Sequence, residues 1–133
     1  MRCRGIRGAT TVEENSREAI IEATSELLGN LIEANRIEVD DVACAFFTTT
    51  SDLNAEFPAL AARQMGWTQV ALLCGHEMDV PGSLAKCLRI LVLYNTEKRA
   101  DELVHVYIKG ARKLRPDNSH GPGDSGSKSR LSE

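Results

Sequence analysis

Long apolar runs are missing from this 133-residue chain. No stretch approaches the ~20 residues that a membrane-spanning helix requires, so no membrane-crossing segment is expected. The basic N-terminus "MRCRGIRG" is not followed by the apolar core of a signal peptide, so no secretory leader is expected either. Paired cysteines are also missing. Cys3, Cys44, Cys74 and Cys87 form no C-x-x-C and have no matching pair of histidines. They read as reduced thiols of a cytoplasmic protein with no metal site. Positive charge is not in excess: 16 Lys and Arg stand against 19 Asp and Glu, a net charge of −3. That balance argues against a general nucleic-acid binder but leaves room for a local basic pocket around a small anion. No glycine-rich loop opens a helix, which favours carboxylate over nucleotide phosphate as that anion. No internal repeat is present.

What is present is one domain's worth of globular sequence. From Pro116 the chain turns into "PDNSHGPGDSGSKSRLSE", rich in Gly, Ser and charge, which cannot bury enough surface to offset its ordering entropy. The reading is a domain over 1–117 and a flexible tail over 118–133. Within the domain, "NSREAIIEATSELLGNLIEAN" predicts a long helix. Asn15 and Glu18 resemble a capping box, and Ile20, Ala23, Thr24, Leu27 and Leu31 form one stripe. "DVACAFFTTT" (41–50) predicts a buried strand, and "FPALAARQMG" a short helix with Pro58 at its first position and Gly66 as its stop. "TQVALLC" (68–74), "KCLRILVLYN" (86–95) and "VHVYIK" (104–109) predict three more strands. In 86–95 alternation sets Cys87, Arg89, Leu91 and Leu93 on one face and Leu88, Ile90, Val92 and Tyr94 on the other. The order β-α-β-α-β-β-β gives an α+β class, a mixed sheet of about five strands with one long and one short helix. Two such helices cannot cover both faces of the sheet, so a homo-oligomer is expected.

The residues that could carry chemistry begin with "RGIRGATT". Its G-x-x-G looks like the clamp of a KH module, but that loop joins two helices and this one lies in a strand. Arg7 instead projects from a strand with small neighbours, a setting for gripping an anion or for simple solvation. "CGHEMDV" (74–80) follows an apolar strand, where Cys74 and Glu77 could together take a ligand hydroxyl. A Cys74–His76 dyad is set aside on the expectation that the two project to opposite faces. Arg89 stands out because a guanidinium cannot shed its proton and is costly to bury unpaired. Either a structural partner neutralises it or a bound anion does. Arg7, Arg63, Arg89 and Arg115, accompanied by Glu77 and Tyr107, would together suit a small polyanion, since guanidinium forks bind carboxylates bidentately.

Four blocks in order, "RGIRGATTVEENS", "FPALAAR", "EMDVPGSLAKCLRIL" and "HVYIKGARKLRPD", make residues 2–117 resemble the type I monofunctional chorismate mutases. The resemblance implies a homotrimeric pseudo-α/β-barrel with active sites in the clefts between subunits. It implies the Claisen rearrangement of chorismate to prephenate, on the way to phenylalanine and tyrosine, with no cofactor. Arg7, Cys74, Glu77, Arg89 and Tyr107 fall on the family's substrate-binding positions. Phe57, Ala59 and Arg63 match the part that lines a neighbour's site, and Leu114 and Arg115 match the segment that closes over substrate. Two positions depart from the pattern. Leu60 stands where some members carry a charge, and Leu73 where some carry a small polar residue that contacts substrate through its backbone.

The residue list, with no evident nucleophile, metal or acid–base pair, suits a concerted pericyclic shift. Such a reaction needs a compact substrate conformer and stabilisation of the charge that develops on the breaking ether bond. Arg89, Glu77 and Arg7 are the catalytic candidates: Arg89 for the ether oxygen, Glu77 for the ring hydroxyl, and Arg7, with Tyr107, for a carboxylate. Two other readings stay open on the residues alone, a non-catalytic trimer that senses a small carboxylate and a thiol-dependent enzyme using Cys74.

Overall fold

Helix α1, Arg17–Asn35, is where the apolar stripe becomes a packed face. In the computed structural model, which describes residues 1–114, its buried positions are Ile20, Ala23, Thr24, Leu27, Leu28, Leu31 and Asn35. Ser16, not Asn15, caps it: Ser16 is extended, and its Oγ accepts the Ala19 N–H at 3.1 Å. Asn15 lies one residue too early and serves a different end. Its Oδ1 accepts the N–H groups of Asn54 and Ala55, strapping the segment ahead of the second helix to the start of the first. At its C-terminus α1 stops at Arg36, whose φ of 53° lets its N–H close on the Ile32 carbonyl.

The strands are β1 Arg2–Thr11, β2 Val42–Thr49, β3 Ala71–His76, β4 Cys87–Thr96 and β5 Val106–Tyr107, with helix α2 at Ala59–Gln64. They form one mixed sheet in the order β3-β2-β4-β1-β5. β4 is central and antiparallel to both β1 and β2, while β3 and β5 add in parallel at the two edges. Short 3-10 turns lie at Val39–Asp41, Ala100–Glu102 and Lys109–Leu114. The expected element order is the observed one. Arg115 and the expected tail at 118–133 lie outside the described residues.

One face of the sheet carries the core. Ile6, Leu88, Ile90, Val92, Ala45 and Phe47 are almost fully buried there against Ile20, Leu27, Leu28 and Leu31 of α1. Gly8 sets how closely helix and sheet approach, because a Cβ on it would lie 3.0 Å from Leu31 Cδ1 and 3.1 Å from Leu27 Cδ1. The alternation expected in β4 is observed: Leu88, Ile90, Val92 and Tyr94 face this core, and Arg89, Leu91 and Leu93 are half-buried on the other side.

Two strands differ from expectation. β3 begins at Ala71 rather than Thr68, because its parallel ladder starts where Cys44 meets Ala71, beyond the irregularity at Val42 and Cys44. β5 keeps only two of the six residues expected. Upstream, the buried Asn35 side chain captures Val104 on both sides: Oδ1 accepts its N–H at 2.8 Å and Nδ2 donates to its carbonyl at 2.9 Å. Downstream, Lys109 adopts a φ of 52° and turns the chain into the final 3-10 turn.

Asn35 therefore fixes where the segment leading to β5 crosses the end of α1. Asn35→Leu should lower unfolding free energy by about 2–4 kcal/mol, because both backbone groups of Val104 lose their partner in a shielded place. Chemical denaturation measures this, and stability within about 0.5 kcal/mol of wild type would contradict it.

Candidate active site

Residues directly opposite on neighbouring strands share a face, so the sheet register assembles the site. Arg89 on β4 pairs with Ala9 on β1 and with Thr48 on β2, and Ala9 in turn pairs with Tyr107 on β5. This row, Tyr107–Ala9–Arg89–Thr48, crosses the sheet on the face away from α1. In the adjacent row Arg7 pairs with Leu91, and Leu91 with Phe46. Arg7 and Arg89 are therefore diagonal neighbours on one rigid surface, both anchored by strands paired on each side.

Glu77 enters from the end of β3. Its N–H bonds the Thr49 carbonyl at 2.9 Å, and its Oε2 accepts the Thr48 hydroxyl at 2.5 Å. The same Oε2 lies 3.7 Å from Arg89 Nε. The Arg89 side chain is 19% exposed and that of Glu77 32%, so the pair is only partly screened by water. Arg7, Thr48, Glu77, Arg89, Tyr107 and the apolar Phe46 are among the residues that line one cavity of about 210 Å³. Tyr107 is also packed with Ala9, Cys87 and Ala111, and Leu114 rests on that cluster beside the cavity.

Four sequence-predicted residues, Arg7, Glu77, Arg89 and Tyr107, thus meet in one place with Leu114 at its margin. Thr48 and Phe46 join them without having been expected. Their signal lay in the alternation of 41–50, which puts 44, 46 and 48 on one face, but only the register with β4 turns that face into a site wall.

The remaining predicted residues form a second group. Cys74 pairs with Phe47, a core residue, and so projects to the face opposite Arg89. Within one chain it does not share a ligand hydroxyl with Glu77. Its neighbours are Ala59, whose N–H bonds the thiol, and the Arg63 charge. Burial pushes the Cys74 thiol up, and these two contacts offset that only in part. Phe57, Pro58, Cys74 and His76 help to line a second hollow of about 320 Å³. Glu56 holds this region by accepting from Arg17 Nε and from the Phe57 N–H, each at 2.9 Å. Phe57 is 68% exposed, and Leu73, on the open face of edge strand β3, is 62% exposed. Arg63 is exposed, Leu60 half-buried and Ala59 buried on α2.

The expected orientation of Cys74 and His76 needs correcting, since residues two apart on a strand share a face. His76 pairs with Thr49 one step beyond the Cys74–Phe47 pair. A dyad still does not follow. His76 Nδ1 lies 3.1 Å from Thr49 Oγ1 and 3.2 Å from its carbonyl oxygen. A thiol raised by burial is also the opposite of an activated nucleophile. Among the described residues, no group of three or more His, Cys, Asp or Glu is placed to hold a metal ion, and no helix is long and apolar enough to cross a membrane.

The sequence profile of chorismate mutase type I matches residues 3–118. The chain belongs to the type I chorismate mutase family. It is 51% identical over 115 residues to chorismate mutase AroH of Thermus thermophilus, covering 86% of this chain and 94% of that one. Against chorismate mutase AroH of Bacillus subtilis it is 44% identical over 120 residues, with 90% and 94% covered. A solved chorismate mutase from Clostridium thermocellum superposes with a TM-score of 0.81 at 50% identity, covering 83% of this chain and 98% of that one. The α+β fold with its five-stranded mixed sheet is thus a chorismate mutase fold.

For such an enzyme the state of Cys74 predicts that Cys74→Ser keeps turnover within about threefold of wild type, since no thiolate is involved. A loss of more than about a hundredfold in kcat, with the fold intact, would restore the thiol reading.

Proposed function

We propose that this chorismate mutase converts chorismate to prephenate by electrostatic stabilisation of a concerted rearrangement. The observation that carries the mechanism is the Arg89–Glu77 pair in a cavity that also holds Arg7 and Tyr107. In the reaction one C–O bond lengthens as one C–C bond forms, and negative charge grows on the ether oxygen. A cation already fixed beside that oxygen stabilises the transition state more than the ground state. Arg89 suits this role because β4 is paired on both sides and its guanidinium is largely shielded. Glu77, oriented by Thr48, accepts the substrate's ring hydroxyl. Arg7 and Tyr107 hold a carboxylate, and the apolar wall of Phe46 and Leu91 favours the folded conformer of the ring and side chain. No proton transfer or covalent step is required. A sensor of small carboxylates would use Arg7 but would have no need for a cation at the ether position.

The second group completes the site from a neighbouring subunit. Leu91, Leu93 and Phe46 leave an apolar strip on the open face, and Leu73 and Phe57 are exposed at its β3 side. A homotrimer closed around these faces would bring Phe57, Ala59, Arg63, Leu73 and Cys74 of one chain to the Arg89 cavity of the next. Leu114 and Arg115 would close over bound substrate. Sedimentation should therefore give three times the mass of one chain, and a monomer at working concentration would contradict the shared site. The reading also puts the enzyme in the cytoplasm, in phenylalanine and tyrosine biosynthesis; fractionation with secreted or membrane proteins would count against that.

The direct test is to add chorismate to the purified protein, follow the loss of its ultraviolet absorbance and identify the product. Prephenate should form without added cofactor and at an unchanged rate with a chelator present. No prephenate, or a rate abolished by the chelator, would contradict the proposal.

A further inference from the structure

Strand β5 has only two residues, yet it carries Tyr107 into the cavity. Its ladder pairs Gly8 with Val106 and Ala9 with Tyr107, and the Ala9 carbonyl accepts the Ile108 N–H at 3.1 Å. The next β1 residue toward the N-terminus is Arg7, whose N–H is directed to this same edge. The next acceptor in line along this ladder would be the Val104 carbonyl, two residues ahead of β5, but it accepts from Asn35 Nδ2 at 2.9 Å. A side chain fills the place. His105 Nδ1 accepts the Arg7 N–H at 3.0 Å. A backbone amide can only donate, so Nδ1 carries no proton and the ring is the neutral tautomer protonated at Nε2.

We propose that His105 is a positioning residue for substrate binding, its ring extending the two-residue β5 by one bond and fixing the backbone from which Arg7 reaches the substrate carboxylate. The inference rests on the carboxylate-binding role assigned to Arg7 above. The link has a continuous physical course: Asn35 at the end of α1 fixes Val104, Val104 sets the adjacent His105, and His105 fixes β1 at Arg7. Without the ring acceptor, the Arg7 N–H loses its partner at this edge, and β5 holds β1 there only through the ladder that begins at Gly8 and Val106. A small displacement of a binding group's origin is enough to matter, because recognition of a carboxylate by a guanidinium depends on both distance and angle.

Three measurements test this. His105→Leu keeps bulk but removes the acceptor, and His105→Asn places Oδ1 near the position of Nδ1. His105→Leu should raise KM for chorismate roughly tenfold while kcat stays within about threefold, and His105→Asn should bring KM back to within about threefold of wild type. A wild-type KM in His105→Leu, or a His105→Asn variant that is folded and as impaired as His105→Leu, overturns the proposal. In the 15N-labelled wild-type protein, nuclear magnetic resonance should show scalar coupling across the hydrogen bond between the Arg7 amide and His105 Nδ1. A protonated Nδ1, or no coupling, overturns it even if a variant fails to fold. Arg7→Ala separates the two levels: an unchanged KM there refutes the role of Arg7, and the positioning role with it, whatever the coupling shows.

Discussion

A guanidinium held in the middle of a sheet is the constraint around which the rest is arranged. Arg89 cannot be neutralised by losing a proton, so the fold must give its charge a partner without allowing it to collapse onto that partner. Glu77 at 3.7 Å does this. It is near enough to compensate the charge, and its Oε2 also accepts from Thr48, which keeps the carboxylate from wrapping onto the cation. Because β4 pairs with β1 and β2 along its length, the backbone beneath Arg89 has little freedom. The cation is in place before substrate arrives, which is the condition under which a charge lowers a barrier instead of being reorganised by the reaction.

This arrangement depends on the sheet being one-sided. Both helices pack on the face of Ile6, Ile90, Val92 and Phe47, so the other face is free to carry two arginines, a tyrosine and an apolar strip. A domain with helices on both faces would have buried Arg89 under a helix. Gly8 contributes by letting Leu27 and Leu31 approach the sheet directly behind the site, and Asn35 by deciding where the return segment crosses toward β5. Arg7, Arg89 and Tyr107 thus sit on strands, with Glu77 one residue past the end of β3, and their positions follow from the ladder.

Much of this was legible in the sequence, for reasons that differ by element. The stripe of α1 and the alternation of β4 are local periodic signals, and both are observed as read. Arg7, Glu77, Arg89 and Tyr107 were legible as a chemically unusual set in apolar surroundings, and the resemblance of four sequence blocks joined them. Thr48 was not, because nothing in "FFTTT" distinguishes a site wall from a strand without its register to β4. Asn35 and His105 were not, because each acts through long-range bonds to the backbone: two to Val104, 69 residues away, for Asn35, and one to Arg7, 98 residues away, for His105. The shift of the cap from Asn15 to Ser16 was hidden for the same reason: the claim on Asn15 comes from Asn54 and Ala55. Cys74 was placed with Glu77 by proximity in sequence, although three residues along an extended chain lead to opposite faces.

The central claim is that a fixed positive charge at position 89, not its hydrogen bonds alone, lowers the barrier. The most direct measurement is kcat for protein in which Arg89 is replaced by citrulline, which keeps the shape and most donors but removes the charge. The account predicts a folded protein whose kcat falls by at least about a hundredfold, since the lost stabilisation belongs to the transition state. A citrulline variant that turns over chorismate at a rate near that of wild type would contradict it.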